Sequence, residues 1–177
     1  MGPSVAVRGG LEGPEARLTV ARKSAALLLY RRRDGALEVL LAHPGGPLWA
    51  KRDAGAWSVP KGEIERGEDP IAVARREFEE ETGQRAPDGE LVPLGEIRQK
   101  SGKLVVAWAA EGDLDPATAK SNTFPLEWPS GSGNWIDVPE VDRVAWSGLD
   151  EARKRLNPAQ VAFVDRLMAA VGAAAAD

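Results

Sequence analysis

The sequence GEIERGEDPIAVARREFEEETG, from Gly62 to Gly83, combines clear helix-end signals with a dense run of acidic residues. Asp69 is a good N-cap and Pro70 suits the first helical position, whereas Gly83 suits the residue just past the helix end. Apolar residues at helical spacing supply one face for burial, formed by Ile71, Ala74 and Phe78. The segment therefore predicts a helix of about 13 residues that begins at Pro70.

The acidic residues crowd the last turns of this predicted helix. Glu77, Glu80 and Glu81 share one face, because steps of three and four residues bring side chains together. Anions are disfavoured near the negative end of the helix dipole, and the like charges of Glu77 and Glu81 repel across one turn. A divalent cation would turn this repulsion into ligation, since Mg²⁺ prefers carboxylate oxygens. The simpler alternative is a solvated acidic surface on an ordinary helix.

The spacing of the segment favours the functional alternative. It resembles the Nudix box, G-x5-E-x7-R-E-U-x-E-E-x-G-U, in which U is a bulky aliphatic residue. The matching positions, all in one register, are Gly62, Glu68, Arg76, Glu77, Phe78, Glu80, Glu81 and Gly83. Two positions depart from the pattern: Phe78 is aromatic where an aliphatic residue is usual, and Gln84 replaces the final apolar residue. Neither departure affects a residue at a ligand position.

The residues before the box extend the resemblance. Residues 57–62, WSVPKG, are similar to the W-x-x-P-K-G lead-in of Nudix enzymes that act on dinucleoside polyphosphates and of some MutT-like enzymes that clean the nucleotide pool. The resemblance implies hydrolysis of a nucleoside diphosphate linked to another moiety, by attack of water on a phosphorus of the diphosphate.

The resemblance also implies roles for the box residues. Glu80 and Glu81 would be the main carboxylate ligands of Mg²⁺ or Mn²⁺, with the backbone carbonyl of Gly62 as a further ligand. Glu77 would ligate a second cation or orient and deprotonate the attacking water. Arg76 would hold Glu77 in place, so that Arg76, Glu77 and Glu80 form the expected catalytic group.

Further acidic residues are candidates for supporting roles. Within the box, Glu68 is expected to contribute to loop structure or to outer contacts of the metal site. Members of the family often use an additional acid from outside the box as a ligand or general base. Glu127 is the first candidate because it lies within a predicted long loop, and Glu140 and Asp137 are weaker ones. The alternative for Glu127 is a surface glutamate beside an anchoring tryptophan.

Phosphate groups also need cationic partners. Lys61 adjoins the box, and Arg98 and Lys103 flank a predicted tight turn near Gly102, so all three are candidates to bind substrate. A solvated hairpin tip explains Arg98 and Lys103 about equally well. Four tryptophans are candidates to stack on a nucleobase, with burial in the core as the alternative: Trp49, Trp57, Trp108 and Trp128.

Composition limits the remaining possibilities. The chain has no cysteine and a single histidine, His43, which excludes disulfides, thiol catalysis and zinc sites built from several histidines. We expect His43 to be structural, and any metal to be bound by oxygen. The net charge of −4 disfavours coating of duplex nucleic acid. The longest apolar run, from Ala25 to Tyr30, is too short for a membrane span, and no signal sequence is evident, so we expect a cytoplasmic protein.

Hydrophobic patterning predicts an α/β (α+β) fold, a mixed β-sheet sandwiched between helices. The predicted strands cover residues 24–30, 37–41, 56–59, 91–99, 103–110 and 144–146, and the later predicted helices cover 149–156 and 158–171. Residues 111–134 are rich in Pro, Gly, Ser and Asn and predict a long surface loop. We expect a loose lead-in over residues 1–20, one domain over 21–171 and an Ala-rich tail over 172–177.

The sequence leaves the substrate open. The lead-in before the box favours nucleoside triphosphates or dinucleoside polyphosphates over ADP-ribose or another diphosphate. A Nudix-fold module that senses a nucleotide without turnover is the alternative from another functional class. The oligomeric state is not indicated.

Overall fold

The computed structural model describes residues 22–172, so the predicted lead-in over residues 1–20 and positions 173–177 of the predicted tail lie outside the described residues. The strands are β1 (Lys23–Arg33), β2 (Ala36–Pro44), β3 (Lys61–Glu63), β4 (Val92–Arg98), β5 (Leu104–Glu111), β6 (Thr123–Glu127), β7 (Trp135–Pro139) and β8 (Val141–Gly148). The helices are α1 (Pro70–Thr82), α2 (Leu149–Arg155) and α3 (Val161–Val171), with single 3₁₀ turns at 116–118 and 158–160.

The main sheet is mixed and has the strand order β4-β5-β1-β2-β8, with β3 paired separately to β1. Strand β1 runs parallel to β5 on one side. On its other side, the start of β1 pairs with β3 from Ser24 to Ala26, and its end pairs with β2 from Tyr30 to Arg33. The sheet therefore opens between β2 and β3, and β3 is fixed against the first residues of β1.

Strand β1 is buried on both faces, which explains why its sequence is a continuous apolar run without alternation. On one face Leu27 and Leu29 pack in a core that includes Phe78 of α1. On the other face Leu28 packs in a core that includes Phe163 of α3. Helices therefore cover both faces, and the predicted mixed sheet between helices is confirmed.

Helix α1 has the bounds that its end signals predict. The Asp69 carboxylate accepts a hydrogen bond from the backbone N–H of Ala72 at 3.1 Å, and Pro70 is the first helical residue. Gly83 ends the helix with a φ of 73°, a left-handed conformation that favours glycine. The buried face consists of Val73, Ala74, Phe78 and Thr82, so Val73 takes the place predicted for Ile71.

Two sequence predictions fail locally. Residues 111–134 are not one loop, because β6 lies within them and pairs with β7 to form an antiparallel hairpin. Pro125 inside β6 hides the strand pattern, since proline lacks the backbone donor that a central strand requires. Residues 56–59 form two isolated bridges, Ala42 with Ser58 and Trp57 with Leu156, and the nearby strand begins only at Lys61.

The helices are short. The longest of those that the structure describes, α1, has 13 residues, and none has the length and apolar character of a membrane span.

Candidate metal and phosphate site

The site lies where the last turns of α1 face β3. Glu77 and Glu81 are one turn apart on α1, and β3 brings Gly62 against them. A Cβ atom added to Gly62 would overlap the carboxylate of Glu77. Only glycine therefore allows the backbone of β3 to approach the Glu77 carboxylate this closely.

Glu81 is the most deeply enclosed carboxylate of the site. One of its oxygens accepts a hydrogen bond from the backbone N–H of Lys61 at 3.3 Å. Burial raises the pKa of Glu81 to about 8, and although the positive charge of Lys61 opposes this rise, the negative charges of Glu140 and Glu77 add to it. A raised pKa favours the protonated form of Glu81, and a bound cation would displace that proton.

Glu140 supplies the third carboxylate. One oxygen from each of Glu77, Glu81 and Glu140 lies within 4.8 Å of the other two. Burial raises the pKa of Glu77 and of Glu140 as well, and the charge of Glu80 adds to both rises. Such a cluster of oxygens suits a hard divalent cation such as Mg²⁺ or Mn²⁺.

The backbone on both sides of Glu140 is fixed by hydrogen bonds. Its N–H donates to the carbonyl of Asn122 at 3.0 Å, and its carbonyl accepts from the N–H of Gly45 at 3.1 Å. The N–H of Asn122 in turn donates to the carbonyl of Glu80 at 2.9 Å. Glu140 is thus tied to the end of α1 through one intervening segment, although it lies far from the box in sequence.

The structure places the other predicted acids differently. Glu127 lies in β6, where its carboxylate accepts a hydrogen bond from the N–H of Gly133 at 2.7 Å at the tip of the hairpin. Asp137 is exposed on β7 opposite Pro125. Glu80 is exposed beside the cluster, outside the group of three carboxylates. Sequence reasoning ranked Glu140 below Glu127, and no local signal distinguishes it, because only tertiary contacts bring it to α1.

Arg76 contacts three acidic residues of the box. Its guanidinium donates to Glu68 at 2.6 Å and lies 3.6 Å from Glu77 and 3.9 Å from Glu80. The second oxygen of Glu68 accepts from the N–H of Glu65 at 2.9 Å, which closes the turn before α1. The shortest contact of Arg76 is therefore with Glu68, not with the expected partner Glu77, and Arg76 links that turn to the carboxylates of the helix.

The three basic residues predicted to bind phosphate lie in two places, one beside the carboxylates and one near the β4–β5 turn. Lys61 is enclosed with the carboxylates: burial lowers its pKa, and the charges of Glu81, Glu77 and Glu140 counteract that effect. Lys103 pairs with Glu63 at 3.4 Å. Arg98 donates to the carbonyl of Gly102 at 3.2 Å, within the turn that joins β4 and β5. Lys61 is the one of the three that adjoins the carboxylates directly.

The aromatic candidates separate by burial. Trp57 is buried and donates to Asp53 at 2.7 Å, and Trp108 packs against the core beneath α1. Trp49 and Trp128 are exposed. His43 is fully buried, with its ring nitrogens 2.8 Å from an Asp142 carboxylate oxygen and 2.6 Å from the carbonyl of Arg52, an arrangement that fits the expected structural role.

Comparisons with known proteins bear on the family and the fold of the chain. A family model described as NUDIX domain matches residues 20–167. The chain is 31% identical over 163 residues to an octanoyltransferase of Myxococcus xanthus, an alignment that covers 86% of the chain and 35% of that protein. It is also 31% identical over 145 residues to an asymmetrical bis(5′-nucleosyl)-tetraphosphatase of Sus scrofa, which covers 75% of the chain and 83% of that protein.

A solved structure shares the fold. The binary complex of an Ap4A hydrolase from C. elegans is 21% identical and superposes with a TM-score of 0.59, over 85% of this chain and 98% of that one. The chain spans only about a third of the length of the Myxococcus relative.

Proposed function

Because the chain belongs to the Nudix family, we propose that it hydrolyses a pyrophosphate bond in a nucleoside diphosphate linked to another moiety. The observation that carries the proposal is the group of three carboxylates from Glu77, Glu81 and Glu140, with ligand oxygens within 4.8 Å of one another. Burial raises the pKa of each of these groups, the negative charges of neighbouring carboxylates add to the rise, and a divalent cation would relieve the repulsion.

The donor set fits Mg²⁺ or Mn²⁺, since it consists of oxygens alone. Glu77, Glu81 and Glu140 would hold the cation, with the carbonyl of Gly62 as a further ligand and Glu80 within reach of a second one. A divalent cation bound there would neutralise charge on the phosphate oxygens during displacement.

The chain's own residues supply the remaining functions. Hydrolysis forms a bond from the water oxygen to one phosphorus and breaks the bridging P–O bond, and one water proton passes to a carboxylate and then to solvent. Glu77 is the proposed acceptor of that proton because its carboxylate lies against Gly62 and 3.6 Å from the guanidinium of Arg76. Lys61 would contact the phosphate chain beside the carboxylates.

Dinucleoside polyphosphates are the proposed substrates, ahead of nucleoside triphosphates. The W-x-x-P-K-G lead-in over residues 57–62 favours these two classes. The Sus scrofa relative, a bis(5′-nucleosyl)-tetraphosphatase by name, supports the first class.

The proposal predicts a selective loss of turnover in two variants. Glu77→Gln and Glu81→Gln should each lower kcat/KM for diadenosine tetraphosphate by about 100-fold or more. Both variants remove a negative charge from the cation site, and Glu77→Gln also removes the proposed proton acceptor. The assay follows product release with Mg²⁺ and with Mn²⁺, and chelation of the cation should abolish turnover.

Glu79→Gln is the matched control. Glu79 lies on the same helix and is exposed, outside the group of three carboxylates. Its variant should keep the parental kcat/KM. Parental rates in the Glu77 and Glu81 variants, or equal losses in all three, would contradict the assignment.

A further inference from the structure

The large exposed apolar side chains of the described residues are concentrated in two segments of the chain, the β6–β7 hairpin and the loop after β2. Within residues 22–172, seven large apolar side chains are exposed: Leu48, Trp49, Phe124, Trp128, Trp135, Ile136 and Met168. All except Met168 belong to the β6–β7 hairpin or to the loop after β2. Large exposed apolar patches on a protein surface mark binding sites.

The hairpin is anchored to the carboxylate cluster at its base. Asn122, just before β6, is hydrogen-bonded to Glu80, and Glu140 follows β7 directly. Val138 of β7 is buried, and its side chain lies 3.1 Å from the position that a Cβ of Gly46 would occupy. One face of the hairpin therefore rests on the loop after β2.

Trp135 lies on the opposite face of the hairpin from Val138, because side chains alternate along a strand. It pairs with Glu127 in register, and the Glu127 carboxylate holds the N–H of Gly133 at the hairpin tip. The strand thus fixes the backbone of Trp135, while 67% of the residue's surface remains exposed. A large aromatic ring that is open to water on a paired strand provides a surface on which a base can stack.

We propose that the β6–β7 hairpin is a nucleoside-binding arm, in which Trp135 stacks on the base of the distal nucleoside of a dinucleoside polyphosphate. The inference rests on the proposed function, since it takes the phosphate chain to be held at the carboxylate cluster. Five residues of extended chain separate Trp135 from Glu140, which places their Cα atoms at most about 17 Å apart.

A substrate with a base at each end of its phosphate chain can bridge a distance within this upper limit. The nucleoside next to the cleaved bond lies close to the carboxylates, and the second lies a phosphate chain away. A nucleoside triphosphate has one base only and cannot occupy both places. The arm therefore distinguishes the two classes of substrate that the lead-in sequence leaves open.

A nucleoside is favoured over a protein partner because the arm continues directly from the carboxylate cluster through Glu140. Stacking on an aromatic face accepts any base, so the arm would select for the presence of a second nucleoside and not for its identity.

The test compares Trp135→Ala, Trp135→Phe and Met168→Ala with the parental protein. Met168 is the matched control, since it is exposed and apolar but lies on α3, across the sheet from α1. Trp135→Ala should raise KM for diadenosine tetraphosphate between about 5-fold and 100-fold with kcat unchanged. Trp135→Phe should restore most of the affinity, and Met168→Ala should behave as the parent. None of the variants should change KM for ATP, and thermal melting should verify that each is folded.

If Trp135→Ala left KM for diadenosine tetraphosphate unchanged, or raised KM for ATP by the same factor, the proposal of a nucleoside-binding arm would be wrong. If the parental protein hydrolyses no nucleotide, the proposed function is wrong. Calorimetric titration with diadenosine tetraphosphate and Mg²⁺ then tests separately whether the arm binds a nucleoside. Weaker binding by Trp135→Ala than by the parent would support it. Equal binding, or no binding by the parent, would overturn it.

Discussion

At the scale of single residues, Gly62 determines how closely the sheet can approach the carboxylates of α1. A Cβ there would overlap the Glu77 carboxylate. The glycine of the box is therefore required by the space it leaves.

The substitution Gly62→Ala should displace the Glu77 carboxylate and lower kcat/KM by about 10-fold to 100-fold, the range seen when a metal site loses its support. Gly89→Ala is the control, because nothing lies within 4 Å of a Cβ at Gly89. Steady-state kinetics with Mg²⁺ would check both. Full activity in Gly62→Ala would contradict the claim that turnover depends on the position of the Glu77 carboxylate beside Gly62.

The pKa of Glu81 predicts how stability depends on pH without metal. Its ordinary pKa is 4.5 and folding raises it to about 8, so the folded state binds more protons than the unfolded state between these values. The contribution of Glu81 to the free energy of unfolding should therefore be fully retained below pH 4.5. It should fall as pH rises toward 8, by up to about 1.4 kcal/mol per pH unit.

Urea denaturation in EDTA across this pH range measures that slope. Glu81→Gln should flatten it, and added Mg²⁺ should stabilise the parental protein more at pH 8 than at pH 5, because binding displaces the proton. A slope that Glu81→Gln leaves unchanged would contradict the assignment of the shift to this residue.

The sequence predicts the helical part of the site better than the rest. Glu77 and Glu81 share a face because helix geometry alone brings residues four apart together. Glu140 joins them through the backbone of Asn122, a contact between segments that no local pattern encodes. The preference for Glu127 over Glu140 reflects this difference, since both are acids in weakly patterned sequence.

At the scale of elements, the C-terminal end of α1 couples the helix to Glu140. Lys120 donates from its N–H to the carbonyl of Thr82 at 2.9 Å, and Asn122 donates to Glu80 in the same way. A Cβ on Gly83 would lie 2.7 Å from the carbonyl oxygen of Lys120, so the helix end accepts only glycine without moving this segment.

Gly83→Ala should therefore lower both stability and activity. The left-handed φ at this position alone costs roughly 1–2 kcal/mol, and the displaced segment should weaken Mn²⁺ binding through Glu140. Asp69→Ala, at the other end of α1, should cost about 1 kcal/mol of stability through the lost cap and leave Mn²⁺ affinity unchanged. Urea denaturation and calorimetric Mn²⁺ titration would separate the two, and equal Mn²⁺ affinity in both variants would refute the coupling.

Element prediction succeeds where end signals are strong and fails where proline interrupts a pattern. Asp69, Pro70 and Gly83 give α1 its observed bounds. The hairpin of β6 and β7 escapes prediction because Pro125 and the surrounding polar residues resemble loop sequence, although a two-stranded hairpin tolerates them. The arm proposed above lies in this unpredicted part.

At the scale of the whole molecule, β1 organises the fold and the site together. Both of its faces are buried, and its first residues hold β3 while its last residues hold β2. Strand β3 carries Gly62 against Glu77, and the residue after β2, Gly45, donates its N–H to the carbonyl of Glu140. The layered class follows from composition and patterning, whereas this arrangement depends on which strands pair, which no residue pattern specified.

Diffraction from crystals grown with Mn²⁺ and a non-hydrolysable dinucleoside tetraphosphate tests the central claim most directly. The anomalous signal should show manganese coordinated by carboxylate oxygens of Glu77, Glu81 and Glu140, with the phosphate chain on the same ion. Manganese bound elsewhere, or these three carboxylates turned away from the ion and the phosphates, would contradict the account.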